Sequence, residues 1–188
     1  MHGDFLVIMA IPEEGGLHFE DEGIAIEYSG VGKVNAAYCL TKALLKHKPK
    51  MVVNFGTAGS KKYQRGEIVA PNTFIQRDMD VSPLGFAPGT TPFETTPVII
   101  VHQPVFTDLP QCSCATGDSF AINHNHDEGD VVDMEAYALA KICSLENVDF
   151  ACVKFISDSA DDQASVHWQE SLKDLPAYFL EIFIQKFG

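Results

Sequence analysis

Four continuous apolar runs, separated by helical patterns, constrain most strongly what this chain can fold into. They cover residues 5–11, 51–55, 98–101 and 150–156. Runs of this kind, without polar alternation, are typical of strands buried on both faces of a sheet. Helical patterns occupy residues 34–46, 133–142 and about 172–187. The alternation predicts an α/β fold: a three-layer α-β-α sandwich around a central mixed β-sheet.

Weaker patterns complete this arrangement. Residues 24–28 and 111–118 indicate further strands, and residues 66–75 indicate a strand interrupted at Pro71. Residues 78–97 form a loop rich in proline, glycine and threonine, and loops of this length inside a compact domain are usually functional or interfacial. No repeat, linker or low-complexity segment interrupts the pattern, so we expect one domain over residues 1–188.

The charge balance excludes several classes of partner. Thirteen basic residues stand against 26 acidic ones, which gives a net charge of −13. Nucleic acids and anionic membranes bind basic patches, so we expect neither as a partner. The five cysteines are odd in number, and the N-terminus has no basic segment before an apolar run. We therefore expect reduced thiols, no signal peptide, no membrane span and a cytoplasmic location.

Three acidic residues share one kind of position. Glu14, Glu135 and Asp158 each follow a buried strand or a strand-to-helix junction, and ligands of open α/β sheets bind at the carboxyl ends of the strands. Convergent carboxylates suit glycosidic chemistry, in which one group protonates the leaving group and another activates water. The residues alone leave an alternative open, in which each carboxylate is a helix cap or a solvated loop residue. For Glu13 and Glu14 the local pattern favours the solvated loop.

Short glycine-rich and histidine-containing segments give weaker signals. Residues 56–60 (GTAGS) would let a ligand approach the backbone, or they form a plain turn between a strand and a helix. The Gly-x-Gly at residues 30–32 lacks the third glycine of a dinucleotide-binding fingerprint. His124 and His126 have no matching third and fourth ligand, and Cys112 and Cys114 have no second pair. We therefore expect neither a metal nor a cofactor.

Six blocks in the sequence resemble the nucleoside phosphorylase/nucleosidase family, and most of all its 5′-methylthioadenosine/S-adenosylhomocysteine nucleosidase branch. The blocks lie at residues 10–14, 29–34 (SGVGKV), 54–59 (NFGTAG), 116–120 (TGDSF), 132–136 (VDMEA) and 156–161 (ISDSAD). Each block is short, but six in the family's order are specific. The resemblance implies a nucleoside phosphorylase-like fold and hydrolysis of the N-glycosidic bond of an adenine nucleoside with a 5′-alkylthio group.

The resemblance also implies roles for individual residues. Asp158 would protonate N7 of the adenine, Ser157 would position that aspartate, and Glu14 would activate the attacking water. Glu135 would bind the ribose 2′- and 3′-hydroxyls. The remaining substrate-binding positions that the resemblance implies are Thr57, Phe120, Ala121, Asp133 and Met134, with Phe120 stacking on the purine, Ala121 meeting its edge and Met134 packing against the sugar.

One position separates hydrolysis from phosphorolysis. Relatives that use phosphate as nucleophile carry an arginine where this chain has Asn54, and the chain has only two arginines, Arg65 and Arg77. Without a bidentate phosphate clamp, water is the more natural nucleophile. The alternatives are a purine nucleoside phosphorylase, a nucleosidase of the AMP or futalosine type, and a nucleoside-binding protein without turnover.

The chain also departs from its relatives. Residues 122–130 are compressed where relatives carry a helix over the base, position 121 is alanine, and Asp133 stands where many relatives have glutamate. The loop at residues 84–93 corresponds to a region where a partner subunit closes the 5′-alkylthio pocket. The resemblance therefore implies a homodimer in which Leu84, Phe86 and Pro92 complete that pocket.

Overall fold

The described residues of the computed structural model form eight strands that belong to one mixed sheet. The structure describes residues 2–119, 129–159 and 175–188. In chain order the strands are β1 (Phe5–Met9), β2 (Ile26–Tyr28), β3 (Met51–Gly59), β4 (Ile68–Gln76), β5 (Ile99–Val101), β6 (Gln111–Thr116), β7 (Val131–Asp133) and β8 (Asp149–Asp158). This sheet confirms the predicted fold class.

Five of the strands close into a ring. The hydrogen-bonded order β3–β8–β4–β6–β7 returns to β3 through a single pair, Gly59 with Val132. The pairs β4–β8 and β3–β7 are antiparallel, and the other three pairs of the ring are parallel. Outside the ring, β1 and β2 extend the sheet in parallel from β3, and β5 pairs antiparallel with β4. The ring gives β3 and β8 hydrogen-bonding partners on both edges.

Helices cover the sheet on both faces. They are α1 (Pro12–Gly15), α2 (His18–Asp21), α3 (Lys33–His47), α4 (Ala136–Glu146) and α5 (Leu175–Phe187), and single 3₁₀ turns occupy His2–Asp4 and Ser82–Leu84. Alternate side chains of β1 divide between two apolar cores, as the two-residue repeat of a strand requires. Leu6 and Ile8 pack in the core with α3 and α4, whereas Val7 and Met9 pack in the core with α2 and α5. Burial of each such side chain stabilises the fold by roughly 1.5–3 kcal/mol.

Several boundaries differ from the sequence-based expectation. The expected helix at 133–142 begins only at Ala136, because Asp133 ends β7 and its Oδ2 accepts a hydrogen bond from the Ala136 N–H at 2.9 Å. Residues 56–59 continue β3, which excludes the alternative of a plain turn there. Pro71 does not interrupt β4; the strand only shifts its register against β6 between Pro71 and Thr73, as a bulge does.

The strand at residues 5–11 is shorter than expected, and this shapes the site. The strand ends at Met9, and Pro12 starts the one-turn helix α1. Glu13 on that helix is exposed, as a solvated loop residue would be, but Glu14 is only 3% exposed. The solvated-loop expectation is therefore wrong for Glu14, because the short helix turns its side chain inward.

Two further expectations concern compartment and chain organisation. None of the helices within the described ranges is long and apolar enough to cross a lipid bilayer. All five cysteines are free, in agreement with the expected thiols. The cytoplasmic location and the single domain over residues 1–188 stay predictions.

Candidate active site

A cavity of about 200 Å³ opens at the carboxyl ends of β1, β3 and β8 and at the junction between β7 and α4. Glu14, Glu135 and Asp158 all line it, so the three carboxylates come together at one edge of the sheet. The parallel pairing of β1 with β3 and of β3 with β8 explains this, because it brings the ends of three strands side by side. Ser157, Thr57, Met134 and Asp133 are the other expected site residues that line the cavity.

Glu14 is held by the ends of two neighbouring strands. Its Oε1 accepts hydrogen bonds from the Thr57 N–H at 3.1 Å and from Thr57 Oγ1 at 3.3 Å. Its Oε2 accepts from the N–H groups of Ala10 at 3.0 Å and Ile11 at 3.4 Å. Burial raises the pKa of Glu14, and the positive charge of Lys154 and the three backbone donors oppose that rise.

Asp158 lies at the end of β8 and is 4% exposed. Ser157 Oγ is 2.7 Å from Asp158 Oδ2 and 3.4 Å from the carbonyl oxygen of Ala58, so the shorter contact is the better hydrogen bond. The main chain of Asp158 is fixed as well, because its carbonyl oxygen accepts a hydrogen bond from the Ser60 N–H at 3.0 Å. Side chain and backbone together orient this carboxylate toward the cavity.

Glu135 immediately precedes α4, and a glycine turn on the opposite wall holds it. Its Oε1 accepts a hydrogen bond from the Gly32 N–H at 2.8 Å. Gly32 has a φ of +94°, a conformation that glycine adopts readily, which lets the turn present this N–H. Burial, reinforced by the negative charge of Asp133, raises the pKa of Glu135 to about 8. A pKa this high favours the protonated carboxyl, which can donate as well as accept a hydrogen bond.

The carboxylate of Asp133 is engaged by the protein itself. It forms a buried ion pair with Lys154, with 2.9 Å between Oδ2 and Nζ, and its Oδ1 accepts a hydrogen bond from Thr116 Oγ1 at 2.5 Å. Burial disfavours the charged form of both Asp133 and Lys154, but each charge stabilises the opposite charge of its partner. The pKa of Asp133 is accordingly lowered, and the pKa of Lys154 stays well above its usual range. Contact of Asp133 with a substrate stays a prediction.

The remaining expected residues lie elsewhere. Phe120, Ala121 and the two histidines of the possible metal site fall outside the described residues, and within the described ranges no cluster of acidic, histidine or cysteine side chains could hold a metal ion. The residues assigned to a partner-subunit pocket do not line the cavity, and Leu84 is 73% exposed; these residues are Leu84, Phe86 and Pro92.

Sequence reasoning missed Lys154 altogether. This lysine lies inside the apolar run of β8 and is 1% exposed, with its Nζ at the cavity. A signal for it was present, because a lysine in a strand buried on both faces requires an acidic partner. What the sequence did not supply was the identity of that partner, which comes from β7.

A charged network at the rim was also missed. Lys33 Nζ contacts Asp78 and lies 3.5 Å from Asp118 Oδ2, and the Lys33 N–H donates to Asp118 Oδ1 at 2.8 Å. Arg77 lines the cavity and donates to the carbonyl oxygen of Ser119. This network ties the Gly32 turn, which holds Glu135, to the segment that leads into residue 120.

The sequence profile of the Phosphorylase superfamily matches residues 15–179. The chain belongs to this superfamily. Among curated members, a 5′-methylthioadenosine/S-adenosylhomocysteine nucleosidase of Exiguobacterium is 33% identical over 80% of this chain and 73% of its own length. The protein of the same name from Haemophilus influenzae is 33% identical over 88% of this chain and 80% of its own length.

Solved structures of the superfamily share the fold. The 5′-methylthioadenosine/S-adenosylhomocysteine nucleosidase of Helicobacter pylori has a TM-score of 0.85 at 21% identity and covers 97% of this chain and 98% of its own. The futalosine hydrolase of the same organism has a TM-score of 0.86 at 21% identity, with 97% of both chains covered. These similarities support the architecture. They do not decide between a 5′-methylthioadenosine/S-adenosylhomocysteine nucleosidase and a futalosine hydrolase.

Proposed function

We propose that this protein hydrolyses the N-glycosidic bond of an adenine nucleoside with a 5′-alkylthio group, of the methylthioadenosine or adenosylhomocysteine type, and releases adenine. The observation that carries the proposal is the meeting of Glu14, Glu135 and Asp158 in one buried cavity. Relatives that are 33% identical and are named as nucleosidases for these substrates support it.

The three carboxylates would divide the chemistry. Asp158 would act as general acid and protonate N7 of the departing adenine, with Ser157 holding the carboxyl in position. Glu14 would accept a proton from the attacking water as the transition state gains oxocarbenium character. Glu135 would bind the ribose hydroxyls, and its raised pKa would let it donate a hydrogen bond to one of them. Met134 and Thr57 would pack beside the sugar.

Water as the nucleophile is supported by Asn54. This side chain lines the cavity but is only 2% exposed, and it donates to the carbonyl oxygen of Ile8 at 3.0 Å. The position that carries an arginine in phosphate-using relatives therefore has no cation here. A phosphate nucleophile would lack its bidentate partner.

A substrate panel scored by release of free base tests the proposal. We expect adenine release from methylthioadenosine and adenosylhomocysteine at equal rates with and without phosphate. A strict phosphate requirement would replace hydrolysis with phosphorolysis, and preference for AMP, inosine or futalosine would replace the substrate. Tight nucleoside binding without release of any base would point to a binding protein.

The Asp158→Asn variant, measured in the same assay, tests whether Asp158 is the general acid. Removal of a general acid lowers turnover about 100- to 10,000-fold, and the variant keeps the shape of the side chain. Asp149→Asn at the exposed start of the same strand is the matched control and should retain activity. Near-normal turnover of Asp158→Asn would remove Asp158 as the acid.

We also propose that the protein forms a homodimer through the loop that contains Leu84, Phe86 and Pro92. Leu84 and Phe93 are 73% and 98% exposed, and exposed apolar clusters often mark interaction sites. Sedimentation should report a dimer, and Leu84→Glu should shift it toward the monomer and raise KM. A monomer that is fully active would contradict the proposal.

A further inference from the structure

The carboxylate of Glu14 is bound in the way that proteins bind a small oxyanion. Three backbone N–H groups and one hydroxyl donate to its two oxygens, at 3.0 to 3.4 Å. The backbone donors come from two separate places, just beyond the end of β1 and near the end of β3. Convergent backbone N–H groups of this kind form anion-binding concavities in many proteins.

A buried cation reinforces these donors. Lys154 is 1% exposed and carries the charge that stabilises ionised Glu14. Gly56 leaves room for this arrangement, because a methyl group at its Cα would lie 3.2 Å from Lys154 Nζ and 3.4 Å from Glu14 Oε1. The lysine and the carboxylate therefore face the same small space beside β3.

We propose that this cradle is an oxyanion-binding site in its own right and that the Glu14 side chain is its resident anion. Its fixed parts are the N–H groups of Ala10, Ile11 and Thr57, the Thr57 hydroxyl and the ammonium group of Lys154. Removal of the carboxylate leaves these donors and the cation in place, and a free carboxylate or phosphate of similar geometry can then occupy them. Glu14 thereby keeps inorganic phosphate out of the cradle beside the attacking water, a consequence that rests on the proposed function.

The cradle should bind formate better than phosphate. Formate reproduces the carboxylate group of Glu14, whereas phosphate is bulkier and carries more charge. The only cation described at the cradle, Lys154, is already paired with Asp133 at 2.9 Å. A dianion would therefore be incompletely neutralised in a buried place, which is costly.

Glu14→Ala, titrated with formate and with inorganic phosphate in the absence of any nucleoside, tests the site. We expect saturable binding of both anions by calorimetry, with formate the tighter. The wild type, Glu14→Gln, which keeps the cradle filled, and Glu13→Ala, which removes the exposed neighbouring carboxylate, should bind neither anion. Adding Thr57→Val to Glu14→Ala removes one donor and should weaken the binding.

Absence of anion binding by folded Glu14→Ala, or equal binding by Glu13→Ala, would overturn the proposal. If Glu14→Ala melts too low for calorimetry, Glu14→Ser serves in its place, with an anion-dependent rise in melting temperature as the measurement. A melting temperature that formate does not change would count equally against the site.

Rescue of turnover then connects the cradle to the reaction. Formate should raise adenine release by Glu14→Ala about 10- to 100-fold, because it returns a base to the charge-assisted contacts. Because the binding experiment contains no nucleoside, the two claims fail separately. Anion binding without any wild-type adenine release would refute the proposed function alone, whereas wild-type release without anion binding would refute the cradle alone.

Discussion

Glu14 and Glu135 lie in the same cavity, but the walls that hold them differ. At the ends of β1 and β3, Glu14 accepts four hydrogen bonds and has the charge of Lys154 nearby. At the junction of β7 and α4, Glu135 accepts one hydrogen bond, from Gly32, and lies close to the negative charge of Asp133. Burial raises the pKa of both carboxyls, but only at Glu135 does a neighbouring negative charge add substantially to the effect. Two buried carboxyls of one cavity therefore have different electrostatic surroundings.

The largest expected effect is on the wall that holds Glu14. Under the proposed function, Glu14→Gln should lower kcat about 100- to 10,000-fold, because the amide cannot accept a proton from water. KM should change little, since the amide retains the size of the carboxyl group. Steady-state adenine release measures both constants. The contrast between the walls would fail if Glu135→Gln lowered kcat as much as Glu14→Gln does.

The positive charge of Lys154 acts on both Glu14 and Glu135. Replacement of this lysine should lower the free energy of unfolding. Lys154→Met leaves Asp133 buried without a counter-charge, which costs about 3–5 kcal/mol of unfolding free energy. Lys62→Met is the matched control, because it breaks a lysine–aspartate pair of similar length, 2.7 Å to Asp130, in which the lysine is half exposed. That control should cost less than about 1 kcal/mol.

Denaturant unfolding measures both variants. Equal losses in the two would mean that the buried pair contributes no more than a surface pair. A large loss in Lys154→Met that Lys154→Met/Asp133→Asn recovers would assign the effect to the unpaired carboxylate.

The pH dependence of the free energy of unfolding should report the raised pKa of Glu135. Its pKa rises from 4.5 in the unfolded chain to about 8 in the folded protein, so the unfolded state binds fewer protons between these values. Stability due to this group is complete below the lower pKa and is lost as pH rises through the folded pKa. Between about pH 5 and pH 8, the wild type should therefore lose stability relative to Glu135→Gln.

Thermal or urea unfolding over this pH range measures that difference, with Glu13→Gln as the exposed control that should run parallel to the wild type. A difference between the wild type and Glu135→Gln that is independent of pH would show that Glu135 is already ionised in the folded protein at neutral pH.

The smallest effect is expected at the rim. Lys33→Met removes the side-chain contacts to Asp78 and Asp118 beside the Gly32 turn and keeps the backbone hydrogen bond to Asp118. Partly exposed pairs contribute about 0.2–1 kcal/mol, so KM should rise no more than about fivefold. Lys42→Met on the exposed face of α3 is the control and should leave KM unchanged. A change in kcat without a change in KM would place Lys33 in the chemistry of the reaction.

The sequence predicted that the acidic residues lie at strand ends, but it did not predict which strands and side chains surround them. The apolar runs placed Glu14 and Asp158 at strand ends, and the parallel pairing then brought them together. The ring could not be read from these patterns, because the pair of Gly59 with Val132 joins residues distant in the chain. Periodicity reports which face of a strand is buried and carries no information about its neighbour. The same limit explains why the partner of Lys154 was missed.

Local sequence patterns did not predict the backbone conformation at two other places. Asp133 reads as the start of a helix because helical periodicity follows it, yet its carboxylate accepts the Ala136 N–H from a position before the helix. The small residues at 56–59 left a turn and a ligand-binding backbone equally open, and they extend β3 so that its backbone reaches Glu14. In both places pairing with another strand of the sheet determines the backbone, β7 with β6 at Asp133 and β3 with β8 at residues 56–59, and local propensity is a weak guide there.

The closed ring has a consequence for how the protein can fluctuate. Proteins open in cooperative units, and strands bonded on both edges belong to the units that open last. β8 pairs with β3 on one edge and with β4 on the other, whereas β3 pairs with β8 along its length but with β1 and β7 only at residues 51–54 and at Gly59. At Thr57 the second edge of β3 is taken by Glu14, whose Oε1 accepts the Thr57 N–H. The Thr57 donor is thus anchored by β8, whereas the Ala10 and Ile11 donors lie just beyond the end of β1. We expect the segments outside the ring to open before this part of the sheet does.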